Sequence, residues 1–123
     1  MSQILVIEDN EDIRNLLKTA LSLRGHQVVS AANGQEGLDV LNASQNSFSV
    51  ILLDLMIPIM SGWEFLVEVG NDPKHSKIPV VVMSGAGEQA APTAPAGCTE
   101  FLRKPVDLSQ LFQLVRQYCT AIA

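Results

Sequence analysis

The sequence predicts an α/β fold in which helices cover both faces of a five-stranded parallel sheet. Two observations carry that prediction. Ile4-Leu5-Val6-Ile7, Val50-Ile51-Leu52-Leu53 and Val80-Val81-Val82-Met83 are short unbroken apolar runs, the pattern of strands buried on both faces. Amphipathic spacing and helix-start signals fall between those runs, so strand and helix alternate towards the C-terminus. Right-handed crossovers then place the strands in one parallel sheet.

After the first run, Ile13, Leu16, Leu17, Ala20 and Leu21 recur at helical spacing, and Gly25 supplies a stop after Arg24. Val28-Val29 marks a short second strand. Asn33 with Glu36, Ser61 with Glu64, and Asp107 with Gln110 each set a short polar acceptor three residues before a Glu or Gln. That is the spacing of a capping box, so three helices are expected to start there. Phe101-Leu102 reads as a short fifth strand, and Leu108, Leu111, Phe112 and Val115 as the buried face of the last helix. A fourth helix belongs between Gly85 and Gly97, where the chain reads GAGEQAAPTAPAG. Pro92 and Pro95 would each cost about 3 kcal/mol inside a helix. That helix is expected to be short or irregular, either as a shortened connector or as a remodelled partner surface.

At 123 residues and 47% hydrophobic, residues 1–123 fit one compact domain. A net charge of -5 argues against direct binding of nucleic acid, whose phosphates call for clustered Lys and Arg. No apolar run approaches the roughly 20 residues that cross a bilayer, and the N-terminus lacks a signal-peptide pattern. A soluble, cytoplasmic chain that does not bind membranes is expected. Cys98 and Cys119 have neither metal-ligand nor disulfide-framework spacing and read as free thiols. Phe48, Trp63, Phe65, Phe112 and Tyr118 read as packing residues.

In an open parallel sheet the ligand site lies beyond the C-terminal strand ends. The residues there are Glu8 and Asp9, Asp54, Ser84 and Lys104. Three carboxylates around one crevice repel one another unless a cation is bound. All of these ligands are hard oxygens, and neither His26 nor His75 follows a strand, which favours Mg²⁺ over Zn²⁺; both histidines read as surface groups. A carboxylate beside Mg²⁺, a lysine and a hydroxyl suits phosphoryl transfer, with Asp54 as nucleophile. A nucleotide- or flavin-binding role is disfavoured, because Glu8-Asp9-Asn10 stands where a Gly-rich phosphate loop would follow the first strand. Asp12 reads as an acid favoured by the dipole at a helix N-terminus.

Four stretches in order at successive strand ends resemble the receiver domain of bacterial response regulators: IEDN, LLDLMIPIMSGWE, VVMSG and FLRKP. The resemblance implies a flavodoxin-like sheet of strand order 2-1-3-4-5. It implies that Asp54 accepts a phosphoryl group from the phosphohistidine of a histidine kinase or phosphotransfer protein. Asp9, Asp54 and the backbone carbonyl of Met56 would bind Mg²⁺, with Glu8 acting through water. Lys104 and Ser84 would contact the phosphoryl group, Ser84 and Phe101 would form the switch with Phe in place of the frequent Tyr, and the bond to Pro105 would be cis. A hydrogen bond to a charged group contributes about 1.5 to 3 kcal/mol, whereas inverting a 1:99 equilibrium takes about 5.5 kcal/mol. Ser84 alone is therefore not expected to drive the switch.

The function implied is a phosphorylation-dependent switch of a two-component or phosphorelay system, not an enzyme with a separate substrate. It would act on an output partner as a monomer or weak dimer, since the segment from Gly85 alters the family's usual dimer face. The chain could stand alone, or be a receiver excised from a larger regulator or hybrid kinase. An aspartyl-phosphate phosphatase is less favoured, because Met56 stands where those enzymes resemble a pattern with a second Asp.

Overall fold

The computed structural model describes residues 3–44, 48–55, 57, 59–84, 97–104 and 106–120, without the side chains of Ser84 and Thr120. In chain order they form β1 (Gln3–Ile7), α1 (Glu11–Ser22), β2 (Gln27–Ala31), α2 (Gly34–Ala43), β3 (Val50–Asp54), α3 (Gly62–Asn71), β4 (Val80–Ser84), β5 (Glu100–Arg103) and α4 (Leu108–Thr120). All strand pairs are parallel, in the order β2-β1-β3-β4-β5. The α/β class, the strand count and the order expected from the resemblance are all found. The segment 85–96, Met56, Pro105 and the Ser84 hydroxyl lie outside the described residues.

The three apolar runs are the three central strands because alternate residues feed two separate cores. Leu5, Ile7, Ile51, Leu53, Val80 and Val82 point to one face, where Phe65, Leu66 and Val69 of α3 and Leu41 of α2 cover them. Ile4, Val6, Val50, Leu52, Val81 and Met83 point to the other, under Leu17 and Leu21 of α1 and Leu111 and Val115 of α4. Burying each such side chain stabilises by roughly 1.5–3 kcal/mol, so the central strands form a stiff platform and their C-terminal ends a fixed rim.

The helix starts depart in detail from the expected capping boxes. Ser61 and Glu64 close a full box, with Ser61 N–H donating to Glu64 Oε1 at 3.1 Å and Glu64 N–H to Ser61 Oγ at 3.2 Å. Asn33 accepts from Glu36 N–H at 2.9 Å, but the Glu36 carboxylate reaches back one residue further, to Ala32 N–H at 3.0 Å. Asp107 accepts from Ser109 N–H at 2.9 Å instead of pairing with Gln110. Gly25 adopts φ 91°, consistent with its role as a stop.

Two expected packing residues face outward. Leu16 is 54% exposed and Trp63 38%, because α1 and α3 each rest on the sheet along a narrower stripe than their apolar residues span. Cys98 and Cys119 are half-buried thiols, neither of them in a disulfide. Both histidines are half-buried rather than surface groups, and His75 Nδ1 lies 3.1 Å from Asp72 Oδ2. Among the described residues no helix is long and apolar enough to cross a membrane.

Candidate functional site

Three strand ends converge at the C-terminal rim of the sheet. Glu8 follows β1 and is 1% exposed; its N–H donates to Ala31 O at the end of β2, at 3.1 Å. Asp54 is the last residue of β3 and is 4% exposed, held in register opposite Met83 of β4. Lys104 follows β5, two strand positions from β3. At about 4.8 Å per strand only a long side chain crosses that gap. Its Nζ donates to Glu8 Oε1 at 2.8 Å and to Asp54 Oδ2 at 3.1 Å. Asp9 is exposed at the mouth of the cluster.

One oxygen each from Glu8, Asp9 and Asp54 lies within 4.8 Å of the others. Opposite ligands of an octahedral ion with bonds of about 2.1 Å are about 4.2 Å apart, so the three hard oxygens fit a small divalent cation with little adjustment. They do not suit Zn²⁺, which takes nitrogen and sulfur as well. Burial pushes the Glu8 carboxyl up to about 7, its hydrogen bond with Asp54 adds to this, and Lys104 opposes it. For Lys104 burial works to lower the ammonium, yet the hydrogen bonds to Glu8 and Asp54 outweigh it and hold the group above its ordinary value. Two acids competing for one lysine leave the cluster short of positive charge.

The loops that present these groups are tightly built. In the β1–α1 loop Asn10 caps α1 by accepting from Ile13 N–H at 3.1 Å, while Asn10 N–H donates to Glu8 Oε2 at 3.3 Å. Arg14 folds back from α1, its Nη1 donating to Glu8 O at 2.9 Å and Asp9 O at 3.4 Å. Neither Asn10 nor Arg14 stood out in the sequence; the only signal was a basic residue one turn into a helix that opens with acids. After β3, Gly62 N–H donates to Leu55 O at 2.9 Å, and a Cβ on Gly62 would lie 2.6 Å from Leu55 Cα and 2.9 Å from Asp54 O. Ile59 in the same loop holds φ 70°, a left-handed backbone that costs a β-branched residue roughly 1–2 kcal/mol.

Of the residues expected at the site, Glu8, Asp9, Asp54 and Lys104 come together. Phe101 lies on β5, half-buried against the core shared with α2 and α3, and Ser84 ends β4 with its backbone in register with Arg103. Asp12 is exposed in the first turn of α1, outside the cluster.

The family model for the response regulator receiver domain matches residues 4–116. The chain belongs to that family. An uncharacterized 14.6 kDa protein encoded in the sodA1 3' region of Leptolyngbya boryana is 32% identical to this receiver domain over 120 residues, 96% of this chain and 90% of that one. The transcriptional regulatory protein CpxR homologue of Haemophilus influenzae is 39% identical over 88 residues, 72% of this chain, and those residues make up 36% of the regulator. Among solved structures, the receiver domain of the Francisella response regulator 1452 superposes with a TM-score of 0.87 at 23% identity, covering 100% of both chains. The receiver domain of the sensor histidine kinase PA1611 of Pseudomonas aeruginosa, solved with a magnesium ion in its active site cleft, gives 0.84 at 21% identity, covering 97% of this chain and 98% of that one. Membership places this receiver domain among the signalling switches of two-component systems.

Proposed function

We propose that this receiver domain is switched by phosphorylation of Asp54 with Mg²⁺ bound at Glu8, Asp9 and Asp54. The observation that carries it is the convergence of the three carboxylates with Lys104, whose Nζ lies 2.8 Å from Glu8 and 3.1 Å from Asp54. The magnesium in the PA1611 receiver supports the choice of ion. Asp9 and Asp54 would hold it directly with the Met56 carbonyl, and Glu8, already bonded to Lys104 and Asn10, would act through water. The cation supplies neutralisation of charge on the phosphoryl oxygens.

The chain's own residues supply the rest. An Asp54 oxygen attacks the phosphorus of a donor phosphohistidine; the new P–O bond forms as the P–N bond breaks, and the electron pair stays on the imidazole nitrogen. Lys104, held as an ammonium, transfers its hydrogen bond from Asp54 to an oxygen of the arriving phosphoryl group. Because Asp54 is almost wholly buried, the donor must approach over the rim, where Ile13, Leu16 and Leu108 line an open apolar groove beside Lys104. Ser84 then donates to the phosphoryl oxygen and Phe101 changes rotamer at the β4–β5 edge, passing the state to an output partner. Relatives of both kinds occur, one matched over 90% of its own length and one over 36%, so the switch is compatible with a receiver acting alone or as one part of a larger protein.

Incubation with Mg²⁺ and acetyl phosphate followed by intact-mass measurement is expected to show one added phosphoryl group, and none with Asp54→Asn. Wild type that gains no mass would overturn the proposal.

A further inference from the structure

We infer that Arg14 is a positioning residue for the cation site, fixing the β1–α1 loop so that the Glu8 and Asp9 carboxylates converge on Asp54. Four acids lie within six residues of it in sequence, Glu8, Asp9, Glu11 and Asp12. Even so, Arg14 makes no ion pair with a carboxylate among the described residues. Its guanidinium donates instead to two backbone carbonyls, Glu8 O at 2.9 Å and Asp9 O at 3.4 Å, while its own N–H donates to Asn10 O at 2.9 Å. Side chain and backbone of one residue therefore tie down three consecutive loop residues.

The helix does not account for a cation at this place. The N-terminal end of a helix favours negative charge, and a positive group there opposes the dipole. What the position gains is reach: a helical side chain leans towards the N-terminus, which lays the planar fork of Arg14 across the loop. Among the described residues no backbone N–H reaches the carbonyls of Glu8 and Asp9, so without Arg14 the turn beyond β1 is held only by the 3.3 Å bond from Asn10 N–H to Glu8 Oε2, and the Asp9 carboxylate loses its fixed direction. The inference rests on the cation site proposed above.

The positional role and a merely electrostatic one predict opposite signs. Removing a positive charge beside a cation site tightens binding on Coulomb grounds, whereas releasing the loop weakens it. Calorimetric titration of the folded protein with MgCl₂ alone is expected to show binding about tenfold weaker for Arg14→Ala, as for other groups that orient metal ligands, and an intermediate loss for Arg14→Lys. Without Mg²⁺, the amides of Asp9, Asn10 and Glu11 should exchange faster in Arg14→Ala while those of β3 stay as protected as in wild type. Should Arg14→Ala not fold, Arg14→Lys carries both measurements. Binding as tight as wild type or tighter, or unchanged loop exchange, overturns the role of Arg14 alone. A wild type that binds no Mg²⁺ overturns the cation site, and the role of Arg14 falls with it.

Discussion

Glu8 sits where an ionised carboxylate is hardest to keep, almost fully buried beside a second acid, with Lys104 shared between them. Its folded value of about 7 lies above the ordinary 4.5. Between those two values the folded protein holds a proton that the unfolded chain has released, so this group's contribution to stability is full below 4.5 and is lost as pH rises through 7. Metal-free protein should therefore melt at a lower temperature as pH is raised across this window, and Glu8→Gln should flatten that part of the profile. A wild-type melting curve with no more pH dependence there than the variant's would contradict the burial argument. The same proton competes with a cation, so the affinity for Mg²⁺ should climb as pH passes through 7.

The β3–α3 junction shows how an element boundary sets site geometry. Gly62 opens α3 where a side chain would collide with Leu55 Cα and Asp54 O, backbone atoms that cannot rotate away. Gly62→Ala should thus push apart the strand end that carries Asp54 and the helix cap at Ser61, at about 1–3 kcal/mol. Urea unfolding should record that loss, and phosphorylation by acetyl phosphate should slow as well; an unchanged midpoint would mean that the junction yields without cost. The central strands were legible because burial on both faces writes unbroken apolar runs, and Ser61 because its box is local. Leu16 and Trp63 were misplaced because periodicity gives the width of an apolar stripe but not how much of it a sheet covers. The 96-residue separation of Glu8 and Lys104 leaves no local pattern; family motifs indicated the two residues, and folding supplied the 2.8 Å contact. The role of Arg14 has no signature in the sequence because its partners are backbone carbonyls, which any sequence possesses.

At the scale of the whole molecule, the site joins the ends of β1, β3 and β5 across a five-stranded sheet, so whatever settles its charge steadies the platform. Above pH 7, where Glu8 has also lost its proton, three carboxylates against one ammonium, in a chain of net charge -5, leave the metal-free fold under local repulsion. A cation bound only by the folded state stabilises it by mass action, about 2.7 kcal/mol when its concentration is 100 times the dissociation constant. Added Mg²⁺ should raise the urea midpoint accordingly, with an unchanged slope because the surface exposed on unfolding is the same. Asp9 separates the metal's effect from general screening. It is exposed and outside the Lys104 pairs, so Asp9→Asn removes one repelling charge without breaking either of them. That variant should be at least as stable as wild type without metal, yet lose most of the increment from Mg²⁺. Equal stabilisation of both proteins by Mg²⁺ would show that the ion acts on the acidic surface at large and not at the converged strand ends.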